Sequence, residues 1–279
     1  MLVLASPGDG TAIGVFDALR ALAGGGAVRF VSGEQLALAP CWEHRLGEGR
    51  TLTRVRLADG TRLDSRRIGA VFNRLQAPLL PHFYSASEAD RAYAGAETSA
   101  LWLSWLASLP CRVVNPPSPG SLAGPWYPLP QWLHLAARAG LPARGYTFST
   151  DPQVFREDGY RPFRMATTSS GSDEAGYEPV RAPPFARQPV CLFEPVDGPE
   201  ETVLVAGERR VGGLKDRFPT ELDLLRALAG CDLLRVSFGR SSATGDLLVT
   251  GATSFPAVED SESISAIASL VLEGMETAA

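Results

Sequence analysis

Lysine is almost missing from this chain. Of its 26 basic residues only Lys215 is a lysine; the others are arginine. Chemistry that needs two ammonium groups on one phosphate chain is therefore excluded, although a guanidinium also holds phosphate. Cysteine is sparse as well. Cys41, Cys111, Cys191 and Cys231 stand far apart, with no CxxC pair. That pattern excludes a disulfide frame or zinc site and reads as buried thiols in a reducing compartment. No stretch of about 18 apolar residues is present, so no membrane span is expected. The opening "MLVLASPGDG" lacks a basic start and has too short an apolar run for a secretory signal, which makes cytoplasm the expected location. Net positive charge is absent too: the balance is −5, so nucleic acid is not an expected partner.

What is present is a patterned α/β chain. Leu2–Ala5 reads as a strand, "SPGDGTAIG" as a Gly-rich turn, "VFDALRALAG" as a helix and Ala27–Val31 as a second strand. This βαβ opening predicts a small parallel sheet. "GDGTAIG" is either a phosphate site at a helix N-terminus or a tight strand-to-helix turn, and it lacks the dinucleotide spacing. "TLTRVRLADGTRL" alternates around an Asp-Gly turn and predicts a hairpin. "RIGAVFNRL" reads as a buried strand ending at Asn73 and Arg74. The helix that follows has Ser85 or Ser87 as its N-cap, and Leu101, Trp102, Trp105, Leu106 and Leu109 repeat at helical spacing.

Prolines 116, 117, 119 and 125 mark a boundary near residue 120. The helix "PQWLHLAARAG" closes at Gly140 and Pro142, and its His134 reads as a surface or packing residue. From 151 to 188 the chain is rich in Ser, Thr, Gly and Pro, which predicts a mobile loop at about 164–188. "VCLFEPV" and "ETVLVAGERRVGG" read as strands around Asp197-Gly198, followed by the helix "TELDLLRALAG". Two more strands, "DLLRVSFGR" and "DLLVTGATSF", and an amphipathic helix over 263–275 complete the chain.

In that order, "AVFNRL", "AETSALWLSWLASLPCRVVNPP", "LPQWLHLAARAGLPARGYTFST", "VCLFEPVDGPEETVLVAGERRVGG" and "LLVTGATSFPAVED" resemble the ATP-grasp superfamily. The closest likeness is to ribosomal-protein glutamate ligases and to peptide maturases that form ester or amide cross-links. The resemblance covers almost the whole chain. It implies an α/β (α+β) fold, with a pre-ATP-grasp, Rossmann-like domain over 1–120 and an ATP-grasp-like α+β domain over 121–279. Such ligases activate a carboxylate as an acyl phosphate. Two lysines, an Asp, a Glu, an Asn and an Arg serve the phosphates and magnesium.

The resemblance also locates gaps. Pro128 stands at the first lysine position, and only Arg161 or Arg164 can stand in at the second. Glu194 matches the hinge glutamate and Val196 the adenine-pairing position, with Pro195, which has no N–H, between them. Ser237 replaces the metal aspartate, and Gly251 and Thr253 replace the Glu-x-Asn pair; Asp246, Glu259 and Asp260 lie off the pattern. Magnesium prefers hard, usually carboxylate, oxygens. The resemblance therefore implies a pseudoenzyme without cofactor, in peptide or natural-product modification. Its partner would be a peptide, a carrier protein or a catalytic relative, and a homodimer fits the Trp-rich helix. The competing reading is an active ATP- and Mg-dependent carboxylate–amine ligase with arginines for lysines. If ligand binding survives, Arg74, Glu97, Arg164, Glu194, Val196 and Arg210 are the residues expected to carry it.

Overall fold

The computed structural model describes residues 1–47, 50–150, 161–165, 177–179 and 190–276. Two compact units share the chain. Met1–Trp126, Gly230–Leu233 and Ala257–Ala279 form one; Tyr127–Ala229 and Leu234–Pro256 form the other.

The first unit opens with β1 (Leu2–Ala5), α1 (Gly10–Ala23), β2 (Arg29–Ser32) and α2 (Gly33–Ala37). A hairpin sheet follows, made of β3 (Cys41–Gly47), β4 (Arg50–Arg56) and β5 (Arg62–Asp64); then come β6 (Ala70–Asn73), α3 (Glu88–Ala107) and β7 (Arg112–Val114). β1, β2, β6 and β7 form a parallel sheet in the order β2-β1-β6-β7. Every residue of β1 and β6 is buried, as expected for a parallel sheet covered on both faces. Leu2, Leu4 and Val71 join Trp102, Trp105 and Leu106 of α3 in one core, which also takes Val55, Leu57 and Leu63 of the hairpin sheet. Trp42 of β3 stacks on Trp102 and meets Trp105 edge-on, at centroid distances of 6.1 and 5.1 Å. Ser87 caps α3, its side chain accepting from Asp90 N–H at 3.1 Å. The chain's last helix, Ser261–Glu276, also packs here, against α1, β6 and β7. A Cβ on Gly14 would lie 2.7 Å from Ile264 Cδ1, so α1 needs glycine where that helix crosses it.

In the second unit α4 (Leu129–Arg138) leads to a sheet of order β10-β9-β11-β8, made from β8 (Tyr146–Ser149), β9 (Arg161–Met165), β10 (Tyr177–Pro179) and β11 (Val190–Phe193). A second sheet, order β13-β12-β14-β15, uses β12 (Val196–Ala206), β13 (Arg209–Val211), β14 (Leu233–Ser241) and β15 (Leu247–Thr253), with the pairs β12–β13 and β14–β15 antiparallel and α5 (Pro219–Ala229) between β13 and β14 in the chain. The final helix is α6. The break between β11 and β12 falls at Glu194-Pro195. Asp197-Gly198, expected as the turn, lies inside β12, where Gly198 takes a φ of +82°. The loop expected at 164–188 lies outside the described residues, apart from Arg164–Met165 and Tyr177–Pro179. Neither α2 nor β3 was anticipated, and β10 falls within the expected loop. α2 is a single capped turn, with Ser32 and Gln35 forming a reciprocal capping box. β3 carries Trp42, His44 and Leu46 among charged neighbours, which blurs its alternation.

Candidate functional site

The connection between β11 and β12 is built around Glu194. Its carboxylate accepts a hydrogen bond from Ser241 Oγ at 2.6 Å and another from Gly145 N–H at 3.2 Å. Its backbone N–H donates to Gly145 O at 2.9 Å, and its carbonyl accepts from Arg144 Nε. Pro195 cannot donate, but its carbonyl accepts from Ser242 N–H at 3.1 Å. Glu194 thus ties the chain entering β8 to the end of β14. Val196 opens β12, with Cβ 3.4 Å from where a Gly239 side chain would begin. The Arg144 guanidinium lies 5.1 Å above the Phe193 ring. Burial pushes the nearby Cys191 thiol up to about 12, opposed by the charge of Arg144. Sequence reading passed over Arg144; its signal was a charged residue between Pro142 and a strand.

The β14–β15 hairpin carries the positions assigned to the metal ligands. Ser237 pairs with Gly251 and Arg235 with Thr253, and β15 has one extra residue, Thr250, between Gly251 and Val249. On β14 Phe238 stacks on Phe218 at the head of α5, with ring centroids 5.9 Å apart. Side chains alternate along a strand. Ser237 and Arg235 therefore take the other face, and their partners Gly251 and Thr253 share it. A Cβ on Gly251 would start 3.5 Å from Leu129 Cδ1. An apolar side chain next to the first lysine position thus borders the site where a carboxylate was expected. Thr253 Oγ1 accepts from Phe255 N–H at 3.1 Å. The bulge residue Thr250 donates to Glu200 Oε1 at 2.9 Å. The assigned positions themselves offer hydroxyls, a bare glycine and a neighbouring guanidinium, and the nearby Glu200 carboxylate is taken up by Thr250, a poor fit to a magnesium–triphosphate group, whose ion usually takes one or two carboxylates. Among the described residues no group of three or more His, Cys, Asp or Glu is placed to hold a metal. Arg235, two residues before Ser237, was legible from alternation and was missed.

The off-pattern carboxylates have other tasks. Asp260 Oδ1 accepts from Ser263 N–H at 2.7 Å and its carbonyl from Ile264 N–H, which makes it the cap of α6. That backbone hydrogen bond holds its carboxyl below the usual aspartate range. Asp246 sits in the exposed turn of the β14–β15 hairpin, its N–H on Thr244 Oγ1 at 3.2 Å. Glu259 is exposed.

The remaining expected residues do not gather with this face. Arg210 on β13 pairs with Asp223 of α5, on the helix-covered side of the sheet. Arg164 lies in β9, in register with Glu178, and Arg161 opposite Phe193. Glu97 is exposed on α3, and His134 is exposed on α4 as expected. Arg74, in the first unit, is buried; its Nε donates to Asp9 Oδ2 at 2.6 Å. Asp9 Oδ1 in turn accepts from Ala12 N–H at 2.9 Å as the cap of α1. A carboxylate thus fills the N-terminus at "GDGTAIG", the position a bound phosphate would need. Asn115, at φ +39°, binds Asp232 N–H, Leu233 N–H and Leu233 O through its side chain at 2.8 to 2.9 Å. Asp232 also pairs with Arg112 at 2.7 Å. Of the thiols, Cys191 and Cys231 are buried, whereas Cys41 is exposed, against expectation, on the solvent side of β3.

No known family profile and no curated protein matches the chain. Solved structures do. The macrocyclase MdnC from Microcystis aeruginosa, bound with precursor peptide MdnA, superposes with a TM-score of 0.75 over 98% of this chain and 99% of that one, at 13% identity. The ATP-grasp ligase PsnB, complexed with minimal precursor, Mg and ADP, gives 0.71 over 99% and 98%, at 18% identity. The D-alanine–D-alanine ligase from Coxiella burnetii gives 0.56 over 99% and 95%, at 12% identity. This chain has the ATP-grasp fold. Within that fold, Ser237, Gly251 and Thr253 share one face of paired strands, and Glu194 stands between β11 and β12. No described helix is long and apolar enough to cross a membrane.

Proposed function

We propose that this chain is an ATP-grasp-like pseudoenzyme that binds a peptide in a peptide- or natural-product-modifying system, without nucleotide or metal. The observation that carries the reading is the β14–β15 face: hydroxyls and a glycine at the metal positions, with Leu129 against Gly251. Phosphoryl transfer depends mainly on positioning and charge neutralisation, so a face of this kind supports binding rather than turnover. The peptide partner is supported by similarity to MdnC, PsnB and a Chryseobacterium gregarium ligase, each of which is seen in complex with a precursor, leader or core peptide. A carrier protein, a catalytic ATP-grasp relative and a second copy of the chain are the other partners the reading admits, in the cytoplasm.

The test is thermal unfolding with ATP, ADP and magnesium, separately and together. The expected result is no shift. A ligand present at about 100 times its Kd would stabilise the native state by about 2.7 kcal/mol, well within detection. A magnesium-dependent shift together with ADP release on adding peptide would overturn the reading. Beside Arg164, Arg235 also supports the rewired ligase, because strand alternation puts its side chain on the face in question. In that case ADP release would be present in the wild type and lost in Arg235→Met.

A further inference from the structure

The hairpin sheet of the first unit has one dry and one wet face. Trp42, Val55 and Leu63 turn inward, and Val55, Leu63 and Thr53 are buried. The outward rows run the other way. Cys41, Arg56 and Arg62 form one row across three strands; Glu43, Arg54 and Asp64 form the next, and Arg45 lies beyond them on β3. The second row carries charges of both signs. Arg54 stands 3.7 Å from Glu43 and 3.6 Å from Asp64, Arg45 reaches Glu43 at 2.6 Å, and Arg66 reaches Asp64 at 2.7 Å.

The first row is not balanced. Arg56 and Arg62 are exposed, directly opposite each other, and the third member of their row is a thiol. Like charges directly across an antiparallel pair, about 5 Å apart, destabilise a sheet. The turn beside them carries Asp59, whose Oδ1 accepts from Thr61 N–H at 2.8 Å, and Arg29 Nη1 donates to Thr61 Oγ1 at 2.8 Å, adding a further cation. A cationic step is thus kept on a protein whose overall charge is −5.

We propose that the outer face of β3–β4–β5 docks an acidic peptide segment, with carboxylates that bridge Arg56 and Arg62. The charge pattern favours a peptide over nucleic acid. Glu43 and Asp64 lie one row away, about 7 Å along the strands, where a continuous phosphate chain would meet them. A peptide can place carboxylates against the first row and neutral or basic side chains against the second. The proposal deepens the peptide-binding reading by naming the partner's chemistry, and it does not depend on whether nucleotide binds.

The full chain is titrated with a fluorescein-labelled peptide, Ser-Glu-Ser-Glu-Ser-Glu-Ser, and with its glutamine twin, at low and at physiological salt, read by anisotropy. The glutamate peptide binds at least about ten-fold tighter than the twin and weakens as salt rises, as charge recognition at an exposed surface requires. The double variant Arg56→Gln/Arg62→Gln loses that preference, as does the single variant Arg62→Ser; Arg138→Gln on α4 keeps it. Equal binding of the two peptides, no binding of either, or a preference that survives in the double variant overturns the proposal. So does tighter binding of oligothymidylate of equal charge through the same two arginines. A nucleotide titration on the same samples separates failure here from failure of the pseudoenzyme reading.

Discussion

Asn115 shows how much a single side chain can decide. It holds a left-handed backbone and satisfies two N–H groups and a carbonyl of the Asp232–Leu233 segment. A Cβ on Gly124 would lie 2.5 Å from Asn115 Cβ, so the two positions are adapted to each other. Asn115→Ala strands three polar groups, at about 1–3 kcal/mol each when buried, and an expected loss of about 3 kcal/mol is read from the shift in urea midpoint. The thiols make a second residue-scale prediction. Burial raises Cys111 to about 11 and Cys191 to about 12. Only the thiolate attacks, so near pH 8 exposed Cys41 reacts first with maleimide, and Cys191 only on unfolding. Mass spectrometry of partly labelled protein identifies the site.

Elements are held by caps and by apolar stripes. The stripe on α3 includes Trp105, which is 1% exposed and packs on Trp42. Trp105→Ala leaves a large cavity and costs about 3–5 kcal/mol, measured by denaturant unfolding. The head of α6 depends on Asp260. Asp260→Ala lowers stability by about 1 kcal/mol at neutral pH, the usual worth of an N-cap. Because folding lowers the carboxyl's pKa, the benefit is complete above the unfolded value of about 3.9 and disappears as pH falls through the lower folded value. Melting curves of wild type and variant should therefore converge in strong acid. If they stay apart there, the cap is not the source of the difference.

At the scale of the whole molecule, the β14–β15 face ranks the functional readings. Installing two carboxylates and an amide with Ser237→Asp, Gly251→Glu and Thr253→Asn leaves Leu129 against position 251 and Pro128 at the expected lysine position, so the triple variant is expected to gain no magnesium-dependent ATP binding in calorimetry. Much of the fold could be read from the sequence. β1, α3, α4, the hairpin at Asp59-Gly60 and the final strands follow from periodicity and turn chemistry, which depend on neighbours a few residues away. The absence of charge at Ser237, Gly251 and Thr253 was legible in the same way, because side-chain chemistry is a property of the residue. Other features required the tertiary structure: that Asp9 fills the α1 terminus and meets Arg74, that Arg210 turns to Asp223, that Leu129 reaches Gly251, and that the last helix packs against α1, β6 and β7. Those pairings join residues distant in the chain. Which partner a charge or a methyl group finds depends on how strands stack and helices cross, and no local pattern encodes it.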